Sequence, residues 1–351
     1  MSNLFILGTG FDAANKCNPS YQEFKKHLYN IIKENDQNFD IDNFEANDVC
    51  FYPNSNLFNC VRSDGRVVHD EITRITGAKI LIYLMRKLPG DEYYNWNRLE
   101  YNLNKIEPKI FFDNYTIRNI MWENDLFGYD NSKADTISIC LTSIIYEFTD
   151  WIREVNIDFN SEKIEFSKYI ENSYEENIYI NFNYTETLEE KYNISEENIY
   201  HLHGYRKNNN DQIILGSDNT DCLQNDDLDP SLEMKDILAT FGKNVKVIIE
   251  KNEDLWKRIE KSFNSSTKNK IYVYGFGHEN VDMPYIDKIV KIVDQTNTIL
   301  YLNNYNNKGF IDYKNKWRES GFKGKIEYFE DEKRVYIYNE FIARVKCLFK
   351  K

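Results

Sequence analysis

The stretch LFILGTGFD at residues 4–12 decides the fold. Four consecutive apolar residues at positions 4–7 run directly into a turn that contains Gly8 and Gly10. A short apolar run that enters a glycine turn is typical of a parallel strand buried on both faces. Because such strands need helices on both sides of the sheet, the stretch predicts an α/β protein.

Further strand-like segments follow later in the chain, at 178–182, 198–203, 213–215, 271–274, 298–302 and 335–337. Helical patterns lie at about 20–33, 231–264, 283–294, 311–319 and 338–349, and Ser20 opens the first of them. Strands that alternate with helices indicate a doubly wound, Rossmann-like parallel sheet.

A different pattern fills the part of the chain between the first strand and the second. Residues from about 35 to 66 are polar and lack periodicity, whereas residues 68–155 are helical in pattern. The sequence therefore predicts a nucleotide-binding α/β domain made of residues 1–34 and 166–351. Residues 35–165 are predicted to form a mainly helical insertion or lid.

Composition limits the partners and the location of the protein. The formal net charge of −13 disfavours nucleic acid as a general partner. None of the six cysteines forms a C-x-x-C pair and no Cys/His cluster has zinc-ligand spacing, so no metal is expected. The N-terminus lacks signal-peptide features and no stretch is long and apolar enough to span a membrane. We therefore expect a cytoplasmic protein without a membrane partner.

The glycine turn after the first predicted strand is the first candidate site. Gly8 and Gly10 permit a sharp turn, and amides exposed there can hold a phosphate. The third glycine of the dinucleotide fingerprint is absent. The alternative interpretation is a simple turn from strand to helix.

A polar run after the second predicted strand is the next candidate. It contains Asn181, Asn183, Thr185 and Thr187, whose side chains are suited to hydrogen bonds with ribose hydroxyls. In the alternative interpretation Thr185 or Asn183 caps a helix that begins near Thr187.

Two histidines lie two residues apart at the end of the third predicted strand. Such spacing puts His201 and His203 on one face, and Gly204 allows a sharp exit. We expect His201 to be a buried, hydrogen-bonded histidine. His203 is the better candidate for a general base or ligand contact, because its ordinary pKa lies near working pH.

The fourth candidate follows the strand at 271–274. Gly275 and Gly277 suggest close approach of the backbone to a ligand, and His278 is predicted to point into the same cleft. Asp282 is a further candidate contact, but an N-cap role suits it equally well because Pro284 follows in the first helical turn. All four candidates come at the carboxyl ends of predicted parallel strands, which is where open α/β sheets bind ligands.

Taken in this order, the motifs resemble the AbiH-type bacteriophage abortive-infection family. The matching stretches are LGTGFD at 7–12, NFNYT at 181–185, HLHG at 201–204, VDMPY at 281–285 and WNRLE at 96–100. The resemblance spans nearly the whole chain. It implies a role in anti-phage defence.

Part of the pattern also resembles sirtuin-type NAD-binding domains. That resemblance implies that Asn183 contacts the nicotinamide ribose and a water, and that His203 is the general base. It further implies a cofactor-binding set of Gly8, Thr9, Gly10, Phe11, Asp12, Tyr184, Thr185, Gly204, Gly275, Gly277, His278 and Asp282. The four-cysteine zinc module of deacylating sirtuins is absent, and Phe11 stands where those proteins have a small residue.

These resemblances lead to three functional hypotheses. The first is an abortive-infection effector that binds NAD and hydrolyses it to nicotinamide and ADP-ribose. The second is a non-catalytic module that senses NAD or ADP-ribose, and the third is a nuclease-type toxin, which the acidic charge disfavours. A homo-oligomer and a phage-derived trigger are further expected partners.

Overall fold

A computed structural model describes residues 2–45, 71–88, 96, 99–103, 131–171, 177–208, 213–216, 242–264, 268–278, 280–303 and 307–329. The chain divides into two compact units. The first comprises Met1–Asn18, Asn156–Ile213 and Asn244–Lys351, and the second comprises Pro19–Val155 and Ile214–Lys243.

The first unit is built on a six-stranded sheet in which every strand pair is parallel. Its strands are β1 (Asn3–Leu7), β2 (Ile178–Asn181), β3 (Ile199–His201), β4 (Asn269–Tyr274), β5 (Thr298–Asn303) and β6 (Lys325–Phe329). The order across the sheet is β3-β2-β1-β4-β5-β6. The predicted α/β, Rossmann-like class is confirmed, because this is the strand order of that fold.

The order of the strands reverses direction between β1 and β4. The chain builds outward from β1 to β3 on one side, and from β4 to β6 on the other. All five residues of β1 are buried, as expected for a central strand covered on both faces.

Aromatic rings fill one face of this sheet. The ring of Phe5 on β1 stacks between Tyr179 on β2 and Tyr272 on β4, with ring centroids 4.8 Å and 5.1 Å away. Phe166 packs edge-on against Phe5, at 6.1 Å. Offset and edge-to-face contacts of this kind add to the stabilisation that burial provides. The apolar run at 4–7 thus carries core residues on both faces.

Short and long helices complete the first unit. They are α1 (Thr9–Ala14), α6 (Ser167–Glu171), a π-helix (Thr187–Lys191), α7 (Val245–Lys251), α8 (Glu253–Phe263), α9 (Met283–Ile292) and α10 (Asn307–Glu319), with 3₁₀ turns at Glu196–Asn198 and Asn280–Asp282. The predicted helices at 283–294 and 311–319 correspond to α9 and α10.

The described part of the second unit is helical, with α2 (Tyr21–Asn35), α3 (Glu71–Arg86), α4 (Leu99–Leu103) and α5 (Asn131–Glu154). The helix that Ser20 was predicted to open starts with a capping box, since Ser20 Oγ accepts from the amide of Glu23 and the Glu23 carboxylate accepts from the amide of Ser20. The apolar side chains of α2 at 24, 28 and 32 are buried. Helix α2 therefore belongs to this unit, whereas the sequence placed it in the α/β domain; the predicted domain bounds stay a prediction.

Close packing of α3 on α5 depends on one glycine. A Cβ at Gly77 would collide with the carbonyl oxygen of Cys140 on α5, so only glycine allows the two backbones to lie this close. Ser143 on α5 donates to the carbonyl oxygen of Thr73 on α3 at 2.8 Å. The predicted helical character of this region is thus confirmed for its described residues.

One predicted strand is absent and one observed strand was not predicted. Residues 213–216 are not a strand. Strand β6 at Lys325–Phe329 was not predicted, because its charged residues alternate with apolar ones at the rim of the sheet. The predicted strand at 335–337, the helix at 338–349 and the first part of the helix at 231–264 lie outside the described residues. Among the described helices, none is both long enough and apolar enough to cross a membrane.

Candidate functional site

The carboxyl ends of the four strands that carry the predicted motifs lie side by side. Leu7 at the end of β1 pairs with Asn181 on β2 and with Tyr274 on β4, and Asn181 in turn pairs with His201 on β3. Parallel pairing in this register brings the loops that follow these strands to one edge. This edge includes the point between β1 and β4 where the strand order reverses, which is the usual ligand position in such folds.

The glycines of this edge pack against one another. A Cβ at Gly8 would lie 2.5 Å from the carbonyl oxygen of Gly275, and one at Gly10 would lie 2.6 Å from the Cα of Gly275. Gly275 also has a left-handed φ of +67°. The amide of Gly8 donates to the Tyr274 carbonyl oxygen at 3.0 Å, and that of Gly10 donates to the Gly275 carbonyl oxygen at 3.1 Å. These glycines therefore allow the two loops to pack closely. The amides of Gly8 and Gly10, which were predicted to bind phosphate, already donate hydrogen bonds to carbonyl oxygens of the protein.

The turn at these glycines leads straight into a helix, as the simpler interpretation of the motif predicts. Helix α1 begins at Thr9, which is exposed, and it buries Phe11 and Asp12. Phe11 packs edge-on against Tyr274, with ring centroids 5.8 Å apart. A large side chain at this position thus belongs to the core.

Asp12 is a deeply buried carboxylic acid. Thr185 donates its hydroxyl to Asp12 Oδ2, and Thr185 Oγ1 lies 3.0 Å from Thr187 Oγ1. Asp12 Oδ1 has no hydrogen-bond partner among the described residues. Burial is the main reason that the pKa of Asp12 rises from 3.8 to about 7, although the hydrogen bonds of Thr185 and Thr187 act in the opposite direction.

Asn183 connects the β2 loop with the glycine turn. Its side-chain amide donates to the carbonyl oxygen of Gly8 at 3.1 Å, and its backbone amide donates to Asn181 Oδ1 at 3.0 Å. Asn183 Oδ1 is buried without a hydrogen-bond partner among the described residues. One acceptor of this side chain is therefore not used by the described protein.

The segment after Asn183 forms a π-helix, which is rare and frequently marks functional sites. The residue before it is Glu186, and no side chain caps it. The interpretation in which Thr185 or Asn183 caps this helix is therefore wrong, because their side chains bond to Asp12 and Gly8 instead.

His201 is held by acceptors at both ring nitrogens. Nε2 lies 2.7 Å from Glu189 Oε1, and Nδ1 lies 3.2 Å from the carbonyl oxygen of Asn183. The ring stacks on Tyr205, with centroids 4.3 Å apart. The predicted hydrogen bonding of His201 is confirmed, while the residue is partly rather than fully buried. The sequence did not identify Glu189 as its partner, because only the π-helix turns this carboxylate toward β3.

His203 lies at the same edge and packs against aromatic rings. It is 5% exposed and its ring packs edge-on against Phe182, with centroids 5.1 Å apart. The ring of Tyr285, which is also buried, lies 6.5 Å away. Gly204 follows with a left-handed φ of +88°, as its predicted role in a sharp exit requires.

An ion pair holds the chain after Gly204 to the π-helix. Arg206 donates its Nε to the buried carboxylate of Glu186 at 2.7 Å, and its backbone amide donates to the carbonyl oxygen of Tyr184 at 3.0 Å. Tyr184 itself is buried. This pair ties the histidine-bearing loop to the segment that contains Asn183 and Thr185.

His278 is placed differently from the other candidates. Its Nδ1 lies 3.0 Å from the Phe276 carbonyl oxygen, and its Nε2 accepts from the indole of Trp317 at 3.0 Å. The ring stacks on Tyr313. Burial lowers the pKa of His278 from 6.5 to about 3, so it is neutral at physiological pH. Both ring nitrogens are thus engaged within the protein, Nδ1 with its own loop and Nε2 with Trp317 on α10.

The remaining candidates lie on the loop between β4 and α9. Gly277 is exposed, and Asp282 occupies the N-cap position of α9 without a side-chain capping bond. Among the described residues, no group of three His, Cys, Asp or Glu side chains is arranged to hold a metal ion.

Fold and site together define an α/β protein with Rossmann strand order and a buried polar cluster at the carboxyl edge of its sheet. Residues 4–303 match the family model described as Bacteriophage abortive infection AbiH. The match covers most of the chain, and the chain therefore belongs to the AbiH family. No curated protein and no solved structure matches the chain. The predicted AbiH resemblance is confirmed, while the sirtuin-like NAD-binding core stays a prediction.

Proposed function

We propose that this protein acts in abortive infection as an effector that binds NAD and hydrolyses it to nicotinamide and ADP-ribose. The family membership supports the defence role. One observation carries the enzymatic part: Asp12, Asn183 and the turn with His201 and His203 are joined by hydrogen bonds and strand pairing at one edge, beside the reversal of strand order.

In this proposal Asn183 positions the ribose and the attacking water. Its Oδ1 is an acceptor without a partner among the described residues, and it is suited to accept a hydrogen bond from a ribose hydroxyl or from water. Departure of nicotinamide leaves an oxocarbenium-like ribose, as in glycoside hydrolysis. His203 accepts the proton of the attacking water.

The phosphate contacts of the proposed complex come from a smaller set of groups than the motif suggests. The amides of Gly8, Gly10 and Phe11 already donate to neighbouring carbonyl oxygens. Thr9 and Gly277 are exposed at the same loops, so we expect the pyrophosphate to lie against them. The other members of the predicted cofactor-binding set stay predictions.

The test is release of nicotinamide and ADP-ribose from NAD by the purified protein. A positioned general base contributes about 10²–10⁴-fold, so His203→Ala should lower turnover by that factor. His27→Ala is the matched control, because His27 lies on α2 in the second unit. Thermal unfolding should show that both variants fold. Equal turnover in the wild type and in His203→Ala would contradict the role of His203.

A second candidate is a module that senses NAD or ADP-ribose without turnover. The near-complete burial of Asn183 and His203 favours it, because a hydrolase must admit water to its base. Equilibrium titration on the same sample separates the two. Binding without product, also in the presence of phage lysate as a source of trigger, would indicate the sensor; absence of binding would contradict both candidates.

A further inference from the structure

Asp12 is the one acidic side chain of the described edge that has an unpartnered oxygen and no ion pair. Its Oδ2 accepts from Thr185, while Oδ1 is buried and has no hydrogen-bond partner among the described residues. The other carboxylates nearby are paired, Glu189 with His201 and Glu186 with Arg206. A buried carboxylate is costly unless a positive group or a donor approaches it.

The described charges around Asp12 do not compensate for the burial of its carboxylate. His201 favours the ionised form of Asp12, but Glu189 opposes it and also holds the His201 ring through Nε2. The thiol of Cys17 interacts with Asp12 as a further acidic group. None of the described lysines or arginines forms an ion pair with Asp12, so the edge favours a positive charge supplied by a ligand.

We propose that Asp12 recognises the positive charge of the nicotinamide end of NAD and thereby selects oxidised, pyridinium-bearing nucleotides. This inference rests on the proposed function. The hydrogen bond from Thr185 links Asp12 to the segment of Asn183, the residue assigned to the nicotinamide ribose. The same carboxylate then faces the positive charge that moves onto the ribose when nicotinamide departs.

The experiment compares two ligands by isothermal titration calorimetry. Carba-NAD retains the pyridinium charge and is not hydrolysed, whereas ADP-ribose lacks the nicotinamide ring. Asp12→Asn should weaken carba-NAD binding by about tenfold or more, because a close charge pair is lost, and should change ADP-ribose affinity by less than about twofold. Asp312→Asn is the matched control, because it removes an exposed carboxylate on α10, and it should leave both affinities unchanged.

The outcomes separate this inference from the proposed function. Equal weakening of both ligands in Asp12→Asn, or no weakening of either, would overturn the role of Asp12 and leave nucleotide binding intact. If the wild type binds neither ligand, the proposed function fails and the inference fails with it. Selective loss of carba-NAD binding supports both.

A measurement on the wild type keeps the test decisive if Asp12→Asn does not fold. Because the pKa of Asp12 is about 7, preference for carba-NAD over ADP-ribose should be high at pH 8 and should fall by pH 6, when the carboxyl is protonated. His201, Glu189 and Cys17 are the other titratable groups that interact with Asp12. A preference that is constant across this range would contradict the proposal.

Discussion

Gly10 donates its backbone amide to the carbonyl oxygen of Gly275 at 3.1 Å, across the junction between β1 and β4. The contact joins the first loop of the chain to one that follows more than 260 residues later. It lies where the strand order reverses, and there a side chain on either residue would force the two loops apart. The glycines of the first motif are therefore required by the fold, whatever the loop binds.

Substitution of Gly275 should lower the free energy of unfolding far more than substitution of a glycine that has similar backbone geometry elsewhere. Gly275→Ala places a Cβ against the amide of Phe11 and 2.5 Å from the Cα of Gly10, and it also strains a φ of +67°. We expect a loss of more than about 3 kcal/mol in the free energy of unfolding. Gly321→Ala is the control, because its φ is +94° but the nearest contact is 4.0 Å away; about 1–2 kcal/mol is expected there. Equal losses in urea unfolding would contradict the packing argument.

The stability of the protein should depend on the ionisation of Asp12. The folded-state pKa of about 7 exceeds the ordinary 3.8, so the contribution is fully present below pH 3.8 and is lost as the pH rises through 7. This difference in pKa corresponds to about 4 kcal/mol in the free energy of unfolding between a pH at which Asp12 is protonated in both states and a pH at which it is ionised in both. Asp12→Asn lacks this dependence, and its advantage over the wild type in unfolding experiments should grow from pH 5 to pH 8. A difference that stays constant with pH would contradict the burial of an ionisable Asp12.

The contribution of His278 to the stability of the fold should depend on pH in the opposite direction. Its folded-state pKa of about 3 lies below the ordinary 6.5, so its contribution is present above pH 6.5 and is lost as the pH falls toward 3. His278→Asn tolerates the left-handed φ of 55° but removes the acceptor of the Trp317 indole. We expect a loss of about 1–3 kcal/mol at pH 8, narrowing by pH 5. Unfolding monitored by tryptophan fluorescence at both pH values tests this, and a loss that widens at pH 5 would disprove it.

Removing one partner of the pair formed by His201 and Glu189 should destabilise the fold more than replacing both partners with apolar residues. Both side chains are 9% exposed, and removal of one leaves the other buried without its partner. Glu189→Ala should destabilise the fold by about 3–5 kcal/mol. The double variant Glu189→Leu/His201→Phe should recover a large part of this loss, because neither polar group then remains. A double-mutant cycle with no coupling energy would indicate that the pair does not act as a unit.

Much of the architecture followed from local sequence patterns. The apolar run at 4–7, the helix start at Ser20 and the strand ends before Asn183 and Gly275 all depend on residues close in sequence, and each was found where predicted. The edge strand β6 was missed because a half-exposed strand has a weak apolar signal. The residues at 213–216 have the apolar content of a strand, yet they are not one, because strand pairing depends on distant partners.

The partners of the polar side chains were less predictable. The alternative interpretation of the spacing made Thr185 or Asn183 a helix cap, but their hydrogen bonds go to Asp12 and Gly8, which are more than 170 residues away in sequence. His278 was predicted to point into the ligand cleft, and the indole of Trp317 on α10 occupies its Nε2 instead. A linear pattern gives no information about such contacts.

By itself, then, the sequence determined the α/β class, the family resemblance and the strand ends that carry polar residues, because periodicity and glycine turns are local properties. Only the tertiary structure decided which of those residues meet. Parallel pairing in the order β3-β2-β1-β4 brings the loops together at one edge, and the packing of Gly8 and Gly10 on Gly275 fixes their separation. Burial at that edge, which depends on every element around it, is what leaves Asp12 with a raised pKa and an unpartnered oxygen.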